Sequence, residues 1–226
     1  LPGTSPNKSA PTLLELGCGD GERLAFFQQL GWQVLGQDVD AAAVQHARSK
    51  GFEVMLGEVA TLSLATNDQK FDVIVHNHVL EHVVNPWQLL DWCYEHCRTG
   101  GQLIMATPNT HSWGAQHYGA AWCGLDAPRH LFLFNPTVLK GLLTAKGWKD
   151  VHVKTLTTHT PGIHFQSEWM QRRRENAALA RGTGFKHPRT LKEWGLMMWL
   201  SLRQGFKAWR YGAVVGDEFV IFATKP

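Results

Sequence analysis

The residues of this chain best placed for chemistry are Glu15-Leu16-Gly17-Cys18-Gly19-Asp20-Gly21, where an apolar run breaks into glycines just ahead of an amphipathic stretch. Glycines at such a strand-to-helix turn let the backbone bend tightly and approach a ligand with no Cβ in the way. A dinucleotide fingerprint wants glycine at i, i+2 and i+5, but Glu22 stands in the third place. The spacing is instead Gly-x-Gly-x-Gly, which demands no pyrophosphate. The next apolar run ends in Asp38, 21 residues after Gly17. An acid at that position accepts hydrogen bonds from both ribose hydroxyls. Turn and acid together point to a nucleoside site rather than a structural bend.

A second constellation is His78-Val79-Leu80-Glu81-His82. On a helical turn His78, Glu81 and His82 share a face, and His130, in Pro128-Arg129-His130-Leu131, is in a position to reach the same pocket from a later loop. Imidazole takes a proton near neutral pH, so His82 or His130 could serve as general base toward a hydroxyl. The plainer reading is that Glu81 and His82 brace the loops. Four cysteines (Cys18, Cys93, Cys97, Cys123) are too few and scattered for a disulfide scaffold, and no second pair completes a zinc knuckle beside Cys93 and Cys97. They read as buried free thiols in a reducing compartment.

The elements that must position these groups alternate regularly. Strands are predicted over 12–16, 32–38, 52–56, 71–75, 102–106 and 148–156, with a last strand over 218–224. Helices are predicted over 22–30, 41–50, from Asn85-Pro86 to about Cys97, and from Asn135-Pro136 to Gly147. This alternation implies an α/β fold, a parallel sheet covered on both faces. Two segments interrupt it. Residues 107–134 read as a long loop carrying Trp113, Tyr118, Trp122, Arg129 and His130, at the sheet's carboxyl edge where open α/β folds bind ligands. These side chains could form a substrate wall or a plug for the core, and the wall is favoured because long ordered loops are usually functional. Residues 157–212 read as a helical insertion before the last strand, with Leu191, Trp194, Met198, Leu202, Phe206 and Trp209 on one stripe.

With 44% hydrophobic and 18% charged residues, the 226-residue chain has material for a packed core, and wholesale disorder is excluded. No run of ~18 apolar residues exists, which excludes a spanning helix. The leader, residues 1–11, starts at Leu1 rather than Met and lacks the basic and apolar stretches of a secretory signal, which points to a trimmed chain or excised domain and a cytoplasmic location. The net charge of +3 divides unevenly: residues 1–160 sum to −3 and residues 161–226 to +6. Three readings of the basic insertion, with Arg172-Arg173-Arg174, Lys192, Arg203, Lys207 and Arg210, compete. It could cap the site and select an anionic substrate, rest peripherally on a membrane through residues 190–211 with Trp194, Trp199 and Trp209 at the interface, or present a solvated face. Nucleic-acid binding is not favoured, since no recognised motif supports it.

These motifs resemble the class I S-adenosylmethionine-dependent methyltransferases. The matching pieces are ELGCGDG at 15–21, GQDVD at 36–40, LGEVA at 56–60, FDVIVHNHVLEHV at 71–83, GGQLIMATPN at 100–109 and GDEFVIFATKP at 216–226. Within that superfamily the LEHV, TPN and PRHL pattern is similar to a branch of ubiquinone-pathway-like O-methyltransferases and enzymes of surface-saccharide clusters. The resemblance implies a Rossmann-like, seven-stranded, mostly parallel sheet with an antiparallel last strand, in one methyltransferase domain over 1–226. It implies S-adenosylmethionine as cofactor. Glu15, Gly17, Gly19 and Gly21 would line its methionine end, Asp38 its ribose, Glu58 and Val59 its adenine, and Asn77 and His78 its methionine portion, with Cys18 and Val39 also among the cofactor-binding residues. The family pattern carries a helix or two before the first strand that fold over the cofactor, and part of that lid is expected to lie outside this chain. Some relatives, acting on small-RNA 3′ ends, resemble the His78, Glu81, His82 and His130 layout with a divalent ion. Here an imidazole replaces their first carboxylate, which disfavours Mg²⁺ and would suit Zn²⁺ or Mn²⁺ better, and the metal-free reading is preferred.

The expected reaction is transfer of a methyl group to a small-molecule acceptor, most simply a hydroxyl oxygen. Quinone-like, saccharide and anionic acceptors all stay open. The rival readings are a non-catalytic nucleoside-binding or partner-docking module and a nicotinamide oxidoreductase.

Overall fold

The computed structural model describes residues 10–59, 69–175, 190–211 and 216–226. Residues 1–9 of the leader, Ala60 and stretches 176–189 and 212–215 of the expectations above lie outside the described residues, as do the side chains of Arg173, Arg174, Lys207 and Trp209.

Seven strands form one sheet: β1 (Thr12–Leu16), β2 (Gln33–Asp38), β3 (Val54–Leu56), β4 (Phe71–Asn77), β5 (Cys97–Pro108), β6 (Lys149–Leu156) and β7 (Glu218–Thr224). Their order is β3-β2-β1-β4-β5-β7-β6. The pairs from β3 through β5 are parallel, and β7 runs antiparallel between β5 and β6. The expected Rossmann-like, mostly parallel sheet with an antiparallel last strand is what the chain adopts. Strand order reverses between β1 and β4, and such a switch point opens a crevice at the strands' carboxyl ends.

Alternation along the strands explains why both faces need cover. Leu14 and Leu16 of β1 and Ile74 of β4 join one core, with Leu89, Leu90 and Cys93 of α3 (Pro86–His96) and Leu139 and Leu143 of α5 (Pro136–Ala145). Leu13, Val73 and Val75 face the other way, onto Leu24 of α1 (Glu22–Gln29) and Val44 and Ala47 of α2 (Ala41–Ser49). The starts of α3 and α5 follow the predicted Asn-Pro signals, and α2 has a cap the sequence reading did not name. Asp40, Asn85 and Asn135 cap α2, α3 and α5 through side-chain oxygens, with proline at the first position of α3 and α5; each cap is worth ~1 kcal/mol.

The structure corrects the sequence reading in three places. β5 begins at Cys97, not Gln102, because the amide of Gly100 and the carbonyl of Gly101 bond the backbone of Lys225, giving a glycine-rich stretch a partner that sequence cannot reveal. The 107–134 segment is not one open loop. It contains α4 (Trp113–Tyr118), capped by Ser112, and two 3₁₀ turns at Gly119–Ala121 and Cys123–Leu125. The stretch from His78 to His82 is a tight turn rather than a helix, with His78 at φ +53°. The described parts of the insertion are helical as expected: α6 (Thr160–Glu175) and α7 (Leu191–Tyr211) pack on each other, and α6 also touches α4 and the 3₁₀ turns.

Candidate functional site

At the switch point lies a cavity of about 570 Å³, a size suited to a small ligand. Gly17 forms one wall. Its φ of +68° is a left-handed conformation, and a Cβ there would fall 2.5 Å from Cγ2 of Val79, so only glycine leaves the hollow open. Asp38, at the end of β2, is half-buried at the cavity's edge, where its Oδ2 accepts from the Gly19 amide (2.8 Å) and its Oδ1 from the Asp40 amide (2.9 Å). The carboxylate is thereby fixed while lone pairs on both oxygens stay available. Val39, Glu58, Val59, Asn77, His78 and His82 also line this space. Gln37, Val83, Asn85, Gln88 and Trp92 line it too, and sequence reasoning missed them. Gln37 precedes Asp38 and spans the turn: its Oε1 accepts from Gly17 and its Nε2 donates to the Gly57 carbonyl.

Four residues of the predicted cofactor set stand behind the wall instead of on it. Cys18 is buried, packed under Gly36, and burial pushes its thiol up to about 12. Gly21 packs on Phe52 at the start of α1, and Gly19 acts through its amide on Asp38. Glu15 is buried and turned toward Arg23, 2.6 Å away. Burial raises its carboxyl to about 7 despite the opposing Arg23 charge, with Asp38 adding to the rise.

His78 is held between two carboxylates. Its Nδ1 lies 2.9 Å from Oε1 of buried Glu81 and its Nε2 3.1 Å from Oε1 of Glu218. Hydrogen bonds to Glu218 and Glu81 outweigh burial and hold the imidazolium proton up to about pH 10. Glu81 also accepts from the Thr107 hydroxyl (3.0 Å), and Glu218 meets exposed His159 (2.9 Å). His76, two residues earlier in β4, is fully buried and stays neutral, its proton affinity lowered by desolvation to about 4.

A second, smaller cavity of about 190 Å³ adjoins the first, with His78 in both walls. Arg129, His130, Asp126, Cys123, Ile163 and Glu218 are among its lining. His82 lines the first cavity and His130 the second, and their rings meet edge to face at 4.7 Å. Each Nδ1 is fixed by a carbonyl, Arg129 for His82 (3.0 Å) and Gly124 for His130 (2.9 Å).

One ligand atom each from Glu81, His82 and His130 lies within 4.8 Å of the others, a set of one carboxylate and two imidazoles that suits Zn²⁺ or Mn²⁺ more than Mg²⁺. His78, the fourth candidate ligand, is outside this set, and both its ring nitrogens face carboxylates.

The aromatic wall expected of 107–134 is mostly a plug. Trp122 is 1% exposed, with its Nε1–H donating to Asp217 (3.0 Å), and Tyr118 is 5% exposed beside it. Trp113 stacks on His117 and lies under the Arg203 guanidinium. Asp217, also bonded by Ser112 (2.7 Å) and 2.8 Å from His164, ties these pieces to β7. Of the four predicted substrate contacts, Arg129 alone lines a described cavity.

Comparison with known proteins matches residues 2–153 to the family model of a methyltransferase domain. A probable S-adenosylmethionine-dependent methyltransferase of Mycobacterium tuberculosis is 32% identical over 152 residues, covering 65% of this chain and 52% of that protein. A ubiquinone biosynthesis O-methyltransferase of Cereibacter sphaeroides is 32% identical over 116 residues, covering 49% and 47%. The chain thus spans about half the length of these curated relatives. Among solved structures, a SAM-dependent methyltransferase from Archaeoglobus fulgidus superposes with a TM-score of 0.63 at 18% identity, covering 96% of this chain and 87% of that one. Phosphoethanolamine N-methyltransferase 2 of Haemonchus contortus, in complex with S-adenosyl-L-methionine, gives 0.61 at 17%, covering 98% and 50%. At these identities the structural likeness speaks for the fold.

Proposed function

The chain belongs to the methyltransferase-domain family, within the class I S-adenosylmethionine-dependent methyltransferases, and from that premise we propose that it transfers a methyl group from S-adenosylmethionine to a hydroxyl oxygen of a small-molecule acceptor. The observation that carries the reading is the pair of adjoining cavities with His78 in both walls and His82 and His130 in contact across them.

The larger cavity fits the cofactor: Gly17 keeps open a hollow that a Cβ would fill, and Asp38 offers fixed acceptor oxygens at its edge. Asp38 would hold the ribose hydroxyls, Glu58 and Val59 would flank the adenine, and Asn77 and His78 would meet the methionine portion. When bound, the cofactor supplies an already activated methyl group on a sulfonium. The protein's work is then to align donor and acceptor, exclude water and remove one proton.

The acceptor would occupy the smaller cavity, between Arg129 and Ile163. His130 lines that cavity and would take the hydroxyl proton as the methyl arrives, while His82 lines the larger cavity against the His130 ring and would take the proton from an acceptor that reaches across. His78 cannot share this role, because its proton is held by Glu218 and Glu81. The 107–134 segment and α6 shape this cavity through Cys123, Arg129 and Ile163.

The test is thermal melting with millimolar S-adenosylmethionine, followed by transfer of labelled methyl to a panel of phenolic, catecholic and saccharide acceptors. A raised Tm that Asp38→Ala largely removes is expected, as is label on oxygen. No shift in the unsubstituted protein would overturn the cofactor assignment, and label found only on amines would overturn the oxygen.

A further inference from the structure

The last helix carries a surface that the reaction does not use. In α7, Leu191 is 92% exposed, Leu202 70% and Met198 65%, while Trp194 and Trp199 are more than half exposed. Against them, Leu200 on the opposite face is buried toward the fold. Leu191, Trp194, Met198 and Leu202 follow one another by three or four residues and so form one continuous stripe. Exposed large apolar side chains grouped in this way mark an interaction surface, whereas single ones need no explanation.

Charge indicates what kind of surface meets this stripe. Glu193 is the one carboxylate between 191 and 211. Lys192, Arg203 and Arg210 are spaced 11 and 7 residues apart, three and two helical turns, so they run along one flank of the stripe. Lys192 and Arg210 are exposed, and the Arg203 guanidinium lies over Trp113 (4.9 Å) and Trp199 (5.1 Å), which keeps cation and indole together at the stripe's border. No described helix is long and apolar enough to cross a membrane. A 21-residue helix with an exposed apolar stripe, tryptophans and a cationic flank has the make-up of one that lies in a bilayer interface.

We propose that α7 docks flat on an anionic lipid surface, its Leu, Met and Trp side chains entering the headgroup boundary and its Lys and Arg flank pairing with lipid phosphates and carboxylates. A second protein copy would bury the apolar stripe equally well but gives no reason for a one-sided cationic flank. Each cation on that flank adds attraction that fades within a Debye length and weakens with salt. The helix that carries the stripe packs on α6, and Ile163 of α6 lines the candidate acceptor cavity.

The experiment is flotation of the full chain with phosphatidylcholine vesicles, with and without phosphatidylserine, at low and high salt. Binding is expected only to the phosphatidylserine vesicles and is expected to fall at high salt. The double variant Trp194→Ala/Leu202→Gln should bind roughly tenfold more weakly or worse, from the apolar area it removes. Lys192→Glu should weaken binding severalfold at low salt and little at high salt. All these side chains are exposed, so the variants should fold, checked by circular dichroism. Their Tm shift with S-adenosylmethionine should match the parent's, which separates this proposal from the assignment of the nucleoside site. Absence of flotation with anionic vesicles, equal flotation of parent and double variant, or a dimer in light scattering that Leu202→Gln dissociates would each overturn it.

Discussion

Nε2 of His78 lies 3.1 Å from Oε1 of Glu218, joining the exit of the fourth strand to the start of the last one. With Glu81 on the other ring nitrogen, this contact makes His78 a fixed cation between the two cavities. The folded imidazole keeps its proton to about pH 10, whereas an ordinary one releases it near 6.5. Its pairing therefore stabilises the fold in full below about 6.5 and is lost as pH rises through 10. Tm should decline from pH 7 to pH 10, and His78→Gln should decline less steeply over that window. Parallel melting curves for the two proteins would disprove the pairing, and carbon-13 NMR of the imidazole at pH 8 gives an independent reading.

Gly17→Ala tests the hollow itself. The substitution puts a methyl group 2.5 Å from Val79 Cγ2 and holds alanine at φ +68°. The left-handed conformation costs ~1–2 kcal/mol, and relieving the contact must shift Val79, which also lines the cavity. Both Tm and cofactor affinity should fall. Gly19→Ala is the control, because nothing lies within 4 Å of its added Cβ at φ +55°. It should carry the backbone strain alone, and so lose less stability and much less affinity. Isothermal titration with S-adenosylhomocysteine separates the two, and equal affinity losses would mean that Gly17 forms no wall.

How far the sequence could be read depended on the range of the interactions. Gly17 and Asp38 declared themselves because a glycine turn and a strand-end acid are local patterns, and both line the cavity. Asp217 and Glu218 did not. Each acts on partners more than 50 residues away, such as Ser112, Trp122, His78 and His159, and no local spacing encodes such a meeting. Trp122 misled for a related reason: an indole among glycines and prolines looks the same whether it faces a substrate or fills a core. Glu15 sits in the motif as expected, yet its carboxylate was claimed by Arg23, the second residue of α1.

Trp122→Phe decides between plug and wall. Phenylalanine keeps most of the volume but removes the indole donor from buried Asp217, whose Oδ1 keeps the Ser112 hydroxyl, and the loss of one such hydrogen bond costs ~1 kcal/mol. Tm should drop, while KM for an identified acceptor should not move, because Trp122 is 1% exposed. A raised KM with an unchanged Tm would restore the substrate-wall reading.

His82 and His130 can work as a proton-accepting pair or, with Glu81, as metal ligands, and the two possibilities separate cleanly. A general base contributes ~10²–10⁴-fold to rate. His130→Gln and His82→Gln should each lower kcat, by up to that range for the residue that takes the proton, with little change in cofactor binding. If the imidazoles act as bases, the parent's rate should be indifferent to a strong chelator. If they hold an ion, chelation should abolish the rate, Zn²⁺ or Mn²⁺ should restore it, and Glu81→Gln should be as damaging as either histidine variant. Glu81 already has His78 on one oxygen and Thr107 on the other, and an ion there would compete with the His78 cation for its charge, so the chelator is expected to leave the rate unchanged.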